Sequence, residues 1–212
     1  MKPLLLLFLC LFSGATTYAQ TYKFDMIATY NVKLNGRERE HIVCSNIAND
    51  DCFLTIGTYK SPTEAILGDF KNQVYHIFEI IQSQKNSEEF FTFKYLSTSK
   101  IESTKAYLNH EYVFEEIESD SLFRKVKLSI YKNSKRRKPV TSQTVVLEKS
   151  DHELFSLYRV ACLHPFEALN KMKYPGKYKV VSGNGKTSSG YKIETQLLYI
   201  KPTNLILNIP RE

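Results

Sequence analysis

The chain has 212 residues, 29 Lys and Arg against 22 Asp and Glu, and a formal charge of +7. A surplus that small is what a solvated basic surface carries; it permits attraction to phosphate-bearing lipids or glycans but makes no case for nucleic acid. Phe and Tyr number 13 and 14 with no Trp, a load that suits sheet faces, and the length suits one β-rich domain undivided by any Pro-, Gly- or Ser-rich linker.

The chain opens with Lys2, an apolar run over 4–12 and the small-residue exit Thr17-Tyr18-Ala19. That is the three-part layout of a secretory signal peptide, so 1–19 is expected to be removed and Gln20 to stand first in a single domain over 20–212. Losing Lys2 leaves 28 basic against 22 acidic residues, a formal +6. Leu9 precedes Cys10, where a lipobox needs a small residue, so the protein is expected to be released and not lipidated. The Ala19-Gln20 exit resembles cleavage sites of gram-negative envelope proteins, which implies a periplasmic or extracellular location. The apolar run is far shorter than the ~20 residues that span a bilayer, and no later run approaches it, so no transmembrane segment is expected. Three cysteines remain, Cys44, Cys52 and Cys162. In an oxidising compartment an odd count leaves one thiol over. A hairpin through 45–51 would bring Cys44 across from Cys52, so these two are the expected disulfide.

Residues 22–34 carry the cleanest strand pattern. Tyr22, Phe24, Met26, Ala28, Tyr30, Val32 and Leu34 are apolar, the residues between them polar except Ile27, so one face is expected to be buried. Asn35-Gly36 suits both positive-φ positions of a type I′ turn, and the chain returns over 37–45. A short strand over 53–56, a turn over 57–62 and a weak strand through Ala65 and Leu67 follow. Over 74–81 both faces are largely apolar, so this strand is expected to be covered on two sides. His76 has no acid or second histidine two or four positions away and reads as a satisfied core histidine. The next strand, 90–96, sets Phe91, Phe93 and Tyr95 on one face. Tyr107 and residues 112–117 form another, whose adjacent Glu115 and Glu116 point to opposite faces and cannot converge on one substrate. Leu122, Val126, Leu128 and Ile130 mark the strand after it.

Lys132, Lys135, Arg136, Arg137 and Lys138 crowd one hairpin tip, which reads either as a solvated loop or as a contact for an anionic envelope surface. After a strand over 140–147 the period changes. Ser150-x-x-Glu153 has the form of a capping box, and Leu154, Leu157, Tyr158, Ala161 and Cys162 recur at helical spacing, predicting an amphipathic helix over 150–163. Cys162 on its apolar stripe reads as a buried, inert thiol. Pro165 should end or bend that helix and open a second short helical segment with Phe166, Leu169 and Met172. Strands are predicted over 177–181, 191–200 and 205–209, with turns at Gly183-Asn184-Gly185 and at 201–204 around Pro202.

No motif carries chemistry. Gly185-Lys186-Thr187 resembles the end of a P-loop, but Val180 stands where its first glycine belongs and strand is predicted where a helix should follow. His41, His76, His110, His152 and His164 are dispersed, without the spacing of a zinc site, and neither a Gly-x-Ser-x-Gly elbow nor a calcium loop is present. No catalytic residue, metal or cofactor is therefore assigned.

The pattern is a mainly β fold, an antiparallel, strongly curved sheet or open barrel of about ten strands with one amphipathic helix late in the chain. This element order resembles the periplasmic lipoprotein-carrier fold. The resemblance implies a curved sheet wrapping a helix, with room for an acyl chain. A non-enzymatic protein binding a hydrophobic small molecule or lipid is the expected function, with Phe78, Phe91, Phe93, Leu128 and Leu157 as cavity lining and Arg136 and Arg137 as head-group contacts. An interaction module of an envelope assembly, or an envelope hydrolase with a spatially assembled site, are the alternatives.

Overall fold

A computed structural model describes residues 20–57, 63–85, 88–102, 109–135, 138–163 and 172–210, with the backbone alone at 84, 85 and 88–90. The expected leader over 1–19, residues 58–62 of the turn expected over 57–62, Tyr107, Arg136, Arg137 and the segment expected to be helical from Pro165 to residue 171 lie outside the described residues. Among the described residues eleven strands follow one another: β1 Gln20–Leu34, β2 Arg37–Asn46, β3 Asn49–Gly57, β4 Glu64–Asp69, β5 Val74–Lys85, β6 Glu88–Lys100, β7 Glu111–Ser119, β8 Phe123–Tyr131, β9 Pro139–Lys149, β10 Tyr178–Thr187 and β11 Lys192–Ile209. Helix α1, Phe155–Cys162, interrupts them after β9. All strands belong to one antiparallel sheet in the order β6-β5-β4-β3-β2-β1-β11-β10-β9-β8-β7, which does not close. Two meanders are thus joined where β1 lies against β11.

The hairpin over 22–45 forms as its sequence predicts. Asn35 and Gly36 take φ of 53° and 83°, as a type I′ turn requires, and Leu34 pairs with Arg37. The alternation of β1 conceals a change of face. Met26, Ala28 and Tyr30 are buried beneath α1 together with Val43, Phe53, Leu128 and Leu147. Tyr22 and Phe24 are equally buried, but in a second core with Cys44, Leu54, Leu67, Phe78 and Leu207. Val43 and Cys44 are neighbours on one strand, so the two cores lie on opposite faces of the sheet. The β1–β11 register shifts between Phe24 and Met26, and β2 pairs with β1 only from Met26 onward. Residues 20–24 and 205–209 therefore leave the sheet as a two-stranded ribbon that folds over the outer face of β2–β5, a corner made by a bulge.

Strand β5 is buried on the ribbon side and only partly covered on the other, where cover on both was expected. His76 and Phe78 are buried under the ribbon, and Phe78 meets the rings of Phe93 and Tyr95 edge-on at 6.5 and 6.0 Å. Tyr75 and Ile77, half-buried, face the side that carries α1.

Four sequence expectations are corrected. The first is the Cys44 to Cys52 disulfide: all three cysteines are free thiols. The hairpin that was to join them is lopsided. Asn46 pairs with Asn49 but Ser45 with Phe53, so the register slides by three, Cys44 faces Leu54, and Cys52 instead pairs with Asp69 of β4.

The second concerns α1, which is shorter than 150–163. The capping box does not form at its start: Leu154 is the N-cap, Glu153 accepts the Phe155 N–H at 2.8 Å, and backbone bonds from Ser150 to Lys177 and from Leu154 to Tyr178 hold the preceding residues against the start of β10. Eight residues make a helix only because packing holds them, and all but Val160 are buried. The helix ends at Leu163, whose backbone is extended.

Third, Gly183-Asn184-Gly185 is no turn but the middle of β10. A Cβ at Gly185 would overlap the Ser142 carbonyl oxygen and come within 2.6 Å of Gln143 Cα; one at Gly183 would stand 2.7 Å from Thr195 Oγ1. These glycines serve close approach of neighbouring strands and side chains. Fourth, 191–200 and 205–209 are one strand, β11, which runs through Pro202 at the register shift where the ribbon departs.

Candidate functional site

Alternation along β2–β5 sends His41, Thr55, Ile66, Tyr75 and Ile77 to the face that carries α1. The helix crosses only part of that face. Beside its last turn the sheet leaves an open cleft of about 460 Å3, walled by Phe53, Ile66, Phe70, Tyr75 and Ile77 on one side and by Val160, Ala161 and Leu163 on the other. Ile66 keeps 38% of its surface exposed there, an unusual position for a β-branched apolar side chain facing the same side as a core. Glu40 and Glu64 stand at its rim.

A second cleft, of about 420 Å3, lies past the helix end, between β1–β2 and β8–β11. Val32, Leu34, Ile130 and Ile193 form its apolar wall, and Arg37, Arg39, Thr141, Gln143 and Thr187 supply its polar groups. The two clefts meet at His41, Ala161 and Leu163. Burial, and then the positive charge of Arg39, lower the pKa of His41 below its ordinary value, so the imidazole at this junction is neutral at pH 7. Gln143 is buried; its Oε1 accepts a 2.6 Å bond from the Tyr158 hydroxyl, while its Nε2 has no hydrogen-bond partner among the described residues.

Arg159 is enclosed on the buried side of α1, donates to the Met172 carbonyl at 3.2 Å and lies over the Phe53 ring at 5.6 Å. Burial pulls its pKa down, and the charges of Asp50 and Glu153 oppose that. It ties Met172 to the helix.

The five residues read from sequence as a lining do not come together. Phe78 and Phe93 belong to the core under the ribbon, Leu128 and Leu157 to the core under α1, and Phe91 is 56% exposed on edge strand β6. None of the five lines either cleft. Arg136 and Arg137 lie outside the described residues. Sequence reasoning passed over Arg37, Arg39, Gln143 and Arg159. For the first two a signal existed: Arg37-Glu38-Arg39-Glu40-His41 has the strand period, which puts both arginines and the histidine on one face.

Glu115 and Glu116, the pair a hydrolase would invite, each face a cation across the hairpin, Lys127 at 2.9 Å and Arg124 at 2.7 Å. Among the described residues no group of three or more His, Cys, Asp or Glu could hold a metal.

No protein-family model matches the chain, and no curated protein matches it. Three solved structures overlap it loosely: PNGF-II, at 13% identity and TM-score 0.38, over 86% of this chain and 28% of that one; a LolA superfamily protein from Nitrosomonas europaea, at 8% identity and TM-score 0.31, over 89% and 90%; and a DUF1329 family protein from Desulfovibrio piger, at 6% identity and TM-score 0.25, over 87% and 86%. The chain spans little more than a quarter of the PNGF-II chain. Overlaps this loose do not identify it with any of the three.

Proposed function

We propose that the protein is a non-enzymatic binder of a hydrophobic, lipid-like ligand, held in the cleft between the C-terminal turn of α1 and the face of β2–β5. The observation that carries this reading is the cleft itself: about 460 Å3, within the ~300–1,000 Å3 of small-molecule sites, with Ile66, Ile77, Phe70 and Tyr75 left partly bare instead of packed. A short helix over a wide sheet leaves such space because eight residues cannot cover the width of five strands.

A denaturing organic extract of protein purified from its source, analysed by mass spectrometry, tests this reading. An apolar ligand in stoichiometric amount is expected, and Ile66→Asp, which places its charge on a side chain already 38% exposed, should lower the yield without unfolding the domain. A protein that carries no extractable ligand and takes up no added lipid would overturn it. The interaction-module reading has its own support in β6, an edge strand bearing Phe91 at 56% and Leu96 at 47% exposure. Edge strands so furnished invite a partner.

A further inference from the structure

We infer that the ligand is an amphiphile with an anionic head, a long-chain carboxylate, whose head is held in the second cleft by Arg37 and Arg39 while its tail passes the junction at His41 into the first. This rests on the reading above and adds the ligand's polarity and direction.

Three observations point the same way. The charges of the two clefts are segregated: among the described residues the second is lined by two arginines and no carboxylate, the first by Glu40 and Glu64 and no Lys or Arg. An anion is therefore drawn to one end of the trough and repelled from the other. Next, the arginines belong to the apolar wall. Arg37 pairs with Leu34 and Arg39 with Val32, so each guanidinium stem runs beside an apolar neighbour while its head reaches solvent, the arrangement that suits the boundary between head and tail. Finally, this cleft is supplied with donors. Arginine donates only, Thr141 brings a hydroxyl, and the buried Gln143 Nε2 lacks an acceptor among the described residues, while the Thr187 hydroxyl is engaged by the Tyr191 N–H and by Ser189. A carboxylate accepts only and has the capacity to take several such bonds. An amine head would meet two like charges at the same place, and an alcohol would forgo their attraction for an anion.

The test is a head-group series at constant chain length: equilibrium binding of radiolabelled oleate, oleyl alcohol and oleylamine to the delipidated protein. Oleate is expected to bind about tenfold more tightly than the alcohol, and the amine more weakly than either. Arg37→Gln with Arg39→Gln should abolish the preference, so that the variant binds oleate and the alcohol alike. Both side chains are exposed, so the melting temperature of this variant should match the parent's. Equal binding of all three by the parent, or a preference for oleate that survives the double substitution, overturns the head-group assignment and leaves apolar binding standing. Failure of all three to bind overturns both. The comparison on the unaltered protein decides the matter even where a variant folds poorly.

Discussion

Tyr22→Phe removes one hydroxyl from the contact that fastens the ribbon to the sheet. In the folded protein Tyr22 donates to Asp69 Oδ2 at 2.7 Å and lies 3.1 Å from His76 Nε2, while His76 Nδ1 lies 2.7 Å from Thr98 Oγ1, itself 2.7 Å from the Tyr95 hydroxyl. Because the Tyr22 proton goes to Asp69, its oxygen accepts from His76 Nε2–H, and Nδ1 accepts from Thr98. The substitution keeps the ring and its packing but deprives Asp69 of one charge-assisted bond, worth about 1.5–3 kcal/mol. Asp69 retains two bonds from Asn72 and one from Gln20, which sets the loss at the lower end. The stranded His76 N–H adds about 1 kcal/mol. A destabilisation of about 2–3 kcal/mol is expected, read as a shift of the urea midpoint at unchanged slope. A loss below about 0.5 kcal/mol would refute the idea that this network fastens the ribbon.

The same network gives the pH dependence its sign. Burial lowers the pKa of His76 below its ordinary 6.5, with Asp69 opposing. Burial alone would raise Asp69, but the bonds from Tyr22 and Asn72 and the charge of His76 bring it below its ordinary 3.8. Both folded values are depressed, so both contributions are complete above the unfolded values and are lost as pH falls. Stability should decline below about pH 6.5, where unfolded histidine takes up its proton first, and further below about pH 4; a midpoint that rises on acidification from neutrality would contradict this.

Gly185→Ala should cost about 2 kcal/mol or more, since its Cβ overlaps backbone of β9; a variant with parental stability would show that β9 and β10 are not so closely apposed. Gly36→Ala meets no atom but keeps a φ of 83°, so about 1 kcal/mol is expected from backbone strain alone. Peptide mapping without reductant should find Cys44, Cys52 and Cys162 unlinked. Alkylation of Cys44 and Cys52 near pH 8 should be slow until denaturant is added, because burial pushes their thiols up to about 12. Sequencing of the exported protein should begin at Gln20, and an acylated Cys10 at the terminus would refute the signal reading.

What was legible in the sequence was whatever depends on a two-residue period. It located the hairpin at Asn35-Gly36 and the strand over 74–81. It read His76 as a satisfied core residue, though the partners that satisfy it, Tyr22 and Thr98, come from two other strands and leave no local trace. Period also misled. The apolar positions of β1 are even throughout, yet the register shift after Phe24 hands Tyr22 and Phe24 to one face and Met26 and Ala28 to the other. Alternation cannot record a bulge that strand pairing decides. The candidate lining failed to converge for the same reason: Phe78 and Leu128 each lie on a strand's apolar face, but which face a curved sheet turns towards α1 is a tertiary matter. Gly183 and Gly185 were read by their turn propensity, when their use is to admit neighbouring atoms.

The pairing of β1 with β11 has a consequence for how the domain is made. Gln20 lies opposite Ile209 and Leu34 opposite Ile193, so the longest seam in the sheet joins the first strand to the last. Such distant pairing closes the largest loop the chain can form, and its entropy must be met before the contact returns anything. During synthesis the first meander can assemble early, but Tyr22 and Phe24 have no neighbouring strand until residues 205–209 have emerged. Folding of this domain finishes only when its final strand is in place, and a chain cut short before β11 keeps half of its outer core uncovered.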